Sequence, residues 1–298
     1  MIKRTLYFGN TAYLSIQNKQ LAIKREEELP AYVPIEDLGI VILDHPQITI
    51  THPLIIALLE NNVALITCNA NHHPIGLTLT LDGNTLHSQR SKSQIDASMP
   101  LKKQLWQQTV KAKIYNQSAV LAYTSLQPTD YLTKLGDIVK SGDADNMEAR
   151  AAVYYWPRVF PGIPDFVRER MGAPPNSILN YGYAILRATV ARALVGAGLI
   201  PSVGIFHRNQ YNAYCLADDI MEPYRPYVDL LVYQILEEGI SIDELTIELK
   251  RKLLNIPVLD VKIAGKNSPL MNAVQRTCNS LVKCFDGEDR KLLYPEIE

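Results

Sequence analysis

The chain has 298 residues, 47% of them apolar, enough to fill one large domain or two ordinary ones. No run of eighteen apolar residues occurs and the first thirty residues alternate like strands rather than forming a cleavable leader, so the expectation is a protein of the cytoplasm with no membrane contact. The net charge of −1 excludes a uniformly basic surface but conceals a segregation: residues 101–217 carry thirteen Lys/Arg against seven Asp/Glu, and residues 218–250 reverse to two against nine. A basic stretch beside an acidic one suits a polyanion held over a cation site. Solvated helix faces of uneven charge are the plainer explanation.

In chain order, residues 1–84 hold seven short apolar or alternating runs, from RTLYFG to GLTLTL, which predict a small β domain. Between two of them, HPLIIALLENN has helical spacing and ends on Asn61-Asn62. Asn71-His72-His73-Pro74 and Asp82-Gly83-Asn84 are turn chemistry. Residues 85–100 are polar and serine-rich and end on Pro100, which predicts a linker. From 101 to 298 the apolar positions recur three and four apart, in residues 101–123, 178–198 and 227–239, with Gly196, Gly198 and Gly239 as stops. The fold class expected is therefore α+β: a small N-terminal β domain followed by a larger all-α C-terminal domain. Cys68, Cys215, Cys278 and Cys284 lack zinc-site or disulfide spacing and are expected as reduced thiols.

Three elements carry possible chemistry. His207 is the lone histidine of the helical region, and a core residue donating one hydrogen bond is the bland alternative to a ligand. Asp218, Asp219 and Glu222 crowd one stretch, CLADDIMEPYRPYVD; Asp219 and Glu222 share a helix face, where a divalent ion would relieve their repulsion. Acids suited to a helix N-terminus are the alternative. Pro223 and Pro226 should kink or restart the helix and free carbonyl oxygens for a cation. Glu148 is the third element, three residues after Asp145, where a capping box would explain both. One imidazole and two carboxylates suit Mg²⁺ or Mn²⁺ rather than a soft metal. No Walker loop or dinucleotide fingerprint is present, which argues against a hydrolase of small phosphorylated substrates.

Taken in order and at these separations, NMEARAAVYYW, NSILNYGYAILRATVARALVGAGLIPSVGIFH and LADDIMEPYRPYVD closely resemble the CRISPR-associated spacer-acquisition integrases, in the form found with a single RNA-guided effector nuclease. The resemblance spans the whole chain and implies the same β-then-helical order. It makes Glu148, His207 and Glu222 the metal ligands for Mg²⁺ or Mn²⁺ and Asp219 a supporting acid, and gives Asp218 no role. Many members carry aspartate where Glu222 stands, which leaves its reach and the number of ions open. The implied reaction is attack of a DNA 3′-hydroxyl on a phosphodiester at a repeat border. Implied partners are double-stranded DNA, a second copy in a homodimer, and a small dimeric second CRISPR-associated adaptation protein bridging two such dimers. Arg150, Arg158, Arg187, Arg192 and Arg208 are the candidate phosphate contacts, whereas Arg225 is expected to pair with the acidic cluster. A catalytically silent DNA-binding scaffold of the same fold is the competing hypothesis, with Glu148 as a cap and His207 in the core.

Overall fold

The computed structural model describes residues 3–26, 28–81, 83–124, 130–163, 166–169 and 172–298. It divides into two units, Met1–Thr85 and Leu86–Glu298. Asp82 of the expected second turn lies outside the described residues.

In the first unit, β1 (Arg4–Phe8), β2 (Ala12–Gln17), β3 (Gln20–Lys24), β4 (Ala31–Pro34), β5 (Leu38–Leu43) and β6 (Ile48–Ile50) precede α1 (His52–Glu60), and β7 (Ala64–Cys68) and β8 (Pro74–Thr78) follow it. They build two four-stranded sheets, β1-β5-β7-β8 and β4-β3-β2-β6. Strands β1, β5 and β7 run parallel, and β5, sequence LGIVIL, is buried along five of its six residues. That is the near-continuous apolar run a covered parallel strand requires. Leu14, Leu21, Val41, Leu54 and Leu58 meet in one core, so the apolar stripe of α1 closes against the strands that flank it. Alternating or apolar runs marked every strand of this unit except β4, whose four residues end on Pro34.

The second unit runs α2 (His87–Asp96), α3 (Met99–Thr124), α4 (Asp130–Asp137), α5 (Met147–Val159), α6 (Asn176–Gly196), α7 (Cys215–Met221), α8 (Arg225–Glu237), α9 (Ile247–Leu253), β9 (Asp260–Ile263), β10 (Lys266–Pro269), α10 (Leu270–Phe285) and β11 (Pro295–Glu296). The α+β expectation holds, with one addition: β10-β9-β11 form a small antiparallel sheet inside the helical unit. Helix α6 is buried on most of its faces, and α3 packs against α4, α5 and α8. Gly182 lets α6 approach α8, since a Cβ there would lie 2.6 Å from Val228 Cγ1.

The linker expectation is corrected. Residues 87–96 form α2, and buried Gln94 ties it to the turn after α6. Its amide donates to the carbonyls of Ile200 (2.9 Å) and Val203 (2.7 Å), and its oxygen accepts the Ile200 N–H at 2.8 Å. A polar side chain that satisfies three buried backbone groups looks in sequence like a solvated linker residue. All four cysteines are free thiols, three of them buried.

Candidate metal centre

Helix α5 delivers Glu148, and its first turn is held by Asp143 rather than by Asp145. Gly142 (φ +71°) and Asp143 (φ +52°) both adopt left-handed backbone, which swings the Asp143 carboxylate under the helix start. It accepts the N–H of Met147 at 2.8 Å and of Glu148 at 3.0 Å. Asp145 instead pairs with Lys140 at 2.7 Å in solvent. The capping-box alternative therefore fails, and the Glu148 side chain turns away from the helix end.

Glu222 sits at the bend after α7. The helix tightens into a 3-10 turn over residues 222–224 and α8 restarts at Arg225, as the two prolines require. Of the two carbonyls that the prolines free, that of Glu222 is taken by the Arg225 N–H rather than offered to a cation. Asn116 of α3 braces the bend by donating to the Pro223 oxygen at 2.8 Å.

Both glutamates meet on one ammonium. Lys113 Nζ of α3 lies 2.7 Å from Glu148 Oε1 and 2.6 Å from Glu222 Oε2, with the lysine side chain 13% exposed and the glutamates 22% and 5%. Burial favours the neutral acid at Glu222, but Arg225, whose Nε lies 3.0 Å from Oε1, and Lys113 outweigh it and hold the carboxyl below its ordinary value. Burial likewise opposes the charge on Lys113, and the two carboxylates reverse that and raise its pKa. The Lys113 hydrogen bond is aimed at Glu148. Glu222 Oε2, although close to the ammonium, is buried without an aligned hydrogen bond.

His207 follows Gly204, where a Cβ would lie 2.4 Å from the His207 carbonyl oxygen and 2.7 Å from Asp219 Oδ2. Only glycine permits the loop to wrap the Asp219 carboxylate so tightly. That carboxylate, fully buried, accepts the N–H groups of Ile205 (2.7 Å), Phe206 (3.0 Å) and His207 (3.2 Å), and it pairs with His207 Nδ1 at 2.6 Å. Asp219 therefore orients His207 and does not face the cation between the glutamates. The ring, 41% exposed, also packs edge-on against Trp106, which stacks on Phe206 at 4.2 Å between ring centroids. Asp219's hydrogen bond raises the imidazole pKa against an opposing burial effect, and the fields of Asp219, Glu222 and Glu148 add to it. Trp106 and Lys113 are seven residues apart, so one stripe of α3 serves both halves of the site.

Asp218 is buried and linked to Arg187 Nε (2.6 Å) and Asn212 (2.7 Å), so Arg187, with its side chain 41% exposed, neutralises a buried carboxylate from the surface. Arg192 is half-buried, and desolvation pushes its pKa down. Arg150, Arg158 and Arg208 are exposed; Arg158 lies over the Tyr154 ring at 4.1 Å. Tyr155 is core, donating to Asp229 Oδ2 at 2.9 Å. Lys113 and Asp143 were not foreseen. Electroneutrality was the available signal for a lysine, because two buried acids need a cation, but α3 offers four lysines and no way to choose among them.

Among the described residues, no group of three or more His, Cys, Asp and Glu side chains is gathered closely enough to hold a metal ion. What the residues show is two carboxylates converging on one cation, an imidazole whose Nδ1 is engaged so that Nε2 remains, and a buried oxygen lacking an aligned donor. This donor set fits a hard divalent ion.

Residues 6–255 match the family model described as CRISPR associated protein Cas1. A curated relative, the CRISPR-associated endonuclease Cas1 of Neisseria meningitidis serogroup C, is 36% identical over 299 aligned positions, covering 100% of this chain and 97% of its own length. Among solved structures, a casposase bound to integration product has a TM-score of 0.78 at 22% identity, with 98% of this chain and 92% of that one covered. A chain of a Cas6-RT-Cas1–Cas2 complex has a TM-score of 0.76 at 21% identity, covering 97% of this chain and 35% of that one. At such identities the two structures establish a shared fold.

Proposed function

The chain belongs to the Cas1 family, and from that membership we propose that it is a divalent-metal-dependent DNA strand transferase and endonuclease of CRISPR adaptation. The observation that carries the proposal is the meeting of Glu148 and Glu222 on one cation beside an imidazole oriented by Asp219. Glu148, Glu222 and His207 Nε2 would hold Mg²⁺ or Mn²⁺. Such an ion supplies Lewis-acid charge to the phosphate oxygens of the reacting diester.

The chain's own residues do the rest. Asp219 fixes the His207 ring and directs Nε2 away from the loop, and Arg225 keeps Glu222 ionised despite its burial. Exposed Arg150, Arg158 and Arg208 neutralise phosphates of a bound duplex, which favours positioning, the largest contribution available in phosphoryl transfer. A 3′-hydroxyl of the inserted fragment attacks phosphorus, one P–O bond forms as another breaks, and the departing 3′-oxygen takes up the proton. No covalent link to the protein is needed. The proposed partners are double-stranded DNA, a second copy of the chain, and a Cas2 protein such as the one named with the complex matched in fold. No helix among the described residues is long and apolar enough to cross a membrane, in keeping with work on DNA in the cytoplasm.

The test is strand transfer on branched, half-integrated DNA with Mn²⁺ or Mg²⁺. Glu148→Ala and His207→Ala, each verified as folded, should lose transfer by a hundredfold or more, on the order of one removed electrostatic contact to the transition state. Folded variants that match the parent would instead leave a DNA-binding scaffold without catalysis.

A further inference from the structure

Among the described residues, Lys113 is the only cation that touches both glutamates, and it comes from α3, an element that supplies none of the expected ligands. Its stem is flexible, so the ammonium is held in place by burial, with the side chain 13% exposed, and by its two carboxylate contacts. A divalent ion between the same oxygens would bring two more positive charges into a largely buried space that already contains Lys113 and Arg225. Like charges at such range in a poorly solvated site repel strongly, so ammonium and ion compete for the carboxylates rather than share them.

We propose that Lys113 is a positioning residue that serves as a tethered substitute cation: it holds Glu148 and Glu222 in place in the metal-free protein and is displaced from them when a divalent ion binds. This rests on the metal-site reading above. Displacement is favoured by the asymmetry of the contacts. Lys113 reaches Glu148 Oε1 at 2.7 Å in a well-aligned hydrogen bond, while its 2.6 Å contact with Glu222 Oε2 is poorly aligned, so a doubly charged ion is the better partner for that oxygen. The cost of moving Lys113 off the carboxylates is subtracted from metal affinity. In return, the metal-free site stays folded without two buried acids repelling one another.

The test compares the full-length parent with Lys113→Met and Lys113→Arg. Mn²⁺ is titrated calorimetrically at fixed ionic strength, and melting is followed in EDTA and in Mn²⁺. Lys113→Met should melt at a lower temperature in EDTA, bind Mn²⁺ about tenfold or more tighter, and gain more melting temperature from Mn²⁺ than the parent does. Lys113→Arg, which keeps the charge, should bind no tighter than the parent. A merely structural lysine would lower stability without raising affinity, so equal or weaker binding by a folded Lys113→Met overturns the inference while parental binding leaves the metal site standing. If neither protein binds Mn²⁺, the metal site and the substitute-cation role fall together. Should Lys113→Met fail to fold, Mn²⁺-soaked crystals of the parent decide: Nζ withdrawn from both carboxylates supports displacement, and Nζ still in contact with both beside a bound ion refutes it.

Discussion

Asp229 shows what a single buried acid costs this protein. It accepts hydrogen bonds from Tyr155 and Tyr183 and is fully buried, and desolvation raises its pKa to about 6 despite those donors and the nearby Arg225. The unfolded carboxyl titrates near 3.9, so the folded state holds the proton more tightly. The contribution of Asp229 to stability is therefore greatest below about pH 4 and declines as pH rises through about 6, by up to about 3 kcal/mol for a two-unit shift. Denaturant unfolding in EDTA should show the parent losing stability relative to Asp229→Asn between pH 4 and 7; parallel curves would contradict the assignment. At this scale the sequence was partly legible. His207 was conspicuous because no other histidine follows residue 87, and the acids at 218–222 because they crowd. Which acid faces which partner was not, because Asp218 and Asp219 differ by one position and about a hundred degrees of helix rotation. That rotation sends one to Arg187 and the other to the His207 loop.

Helices place these side chains, and their ends are set by devices of unequal visibility. Prolines 223 and 226 announce the bend, since a missing N–H and a fixed φ act locally. The start of α5 is hidden, because it depends on Asp143 adopting a left-handed backbone, which spacing alone assigns to Asp145. Asp143→Ala should destabilise the protein by about 1–2 kcal/mol, the usual cost of a lost N-terminal cap, and should also weaken strand transfer by loosening Glu148. Asp145→Ala removes only an exposed pair with Lys140 and should change stability by less than about 0.5 kcal/mol. Equal effects in chemical denaturation would return the cap to Asp145. Helix α2 was hidden for a different reason: its helical unit needs it through Gln94, a polar residue, so no apolar periodicity marks it.

The order of a strand-rich unit followed by a largely helical one was legible because strand periods dominate the first part of the chain and helical periods the rest. The three-stranded sheet at the end of the helical unit escaped because its strands have four, four and two residues. The site draws on α3, α5, the His207 loop and the bend after α7, which are separated by up to about a hundred residues and joined by α3. No local motif encodes that convergence, which is why Lys113 becomes evident only in three dimensions. Because the acids are held by lysine and arginine when no metal is added, the helical unit should be folded in EDTA, with the divalent ion needed for chemistry rather than for folding. The most direct measurement is the anomalous difference density of Mn²⁺-soaked crystals. The proposed function calls for a peak touching Glu148, Glu222 and His207 Nε2 in the helical unit; a peak bound elsewhere, or no peak at those three side chains at saturating Mn²⁺, would contradict it.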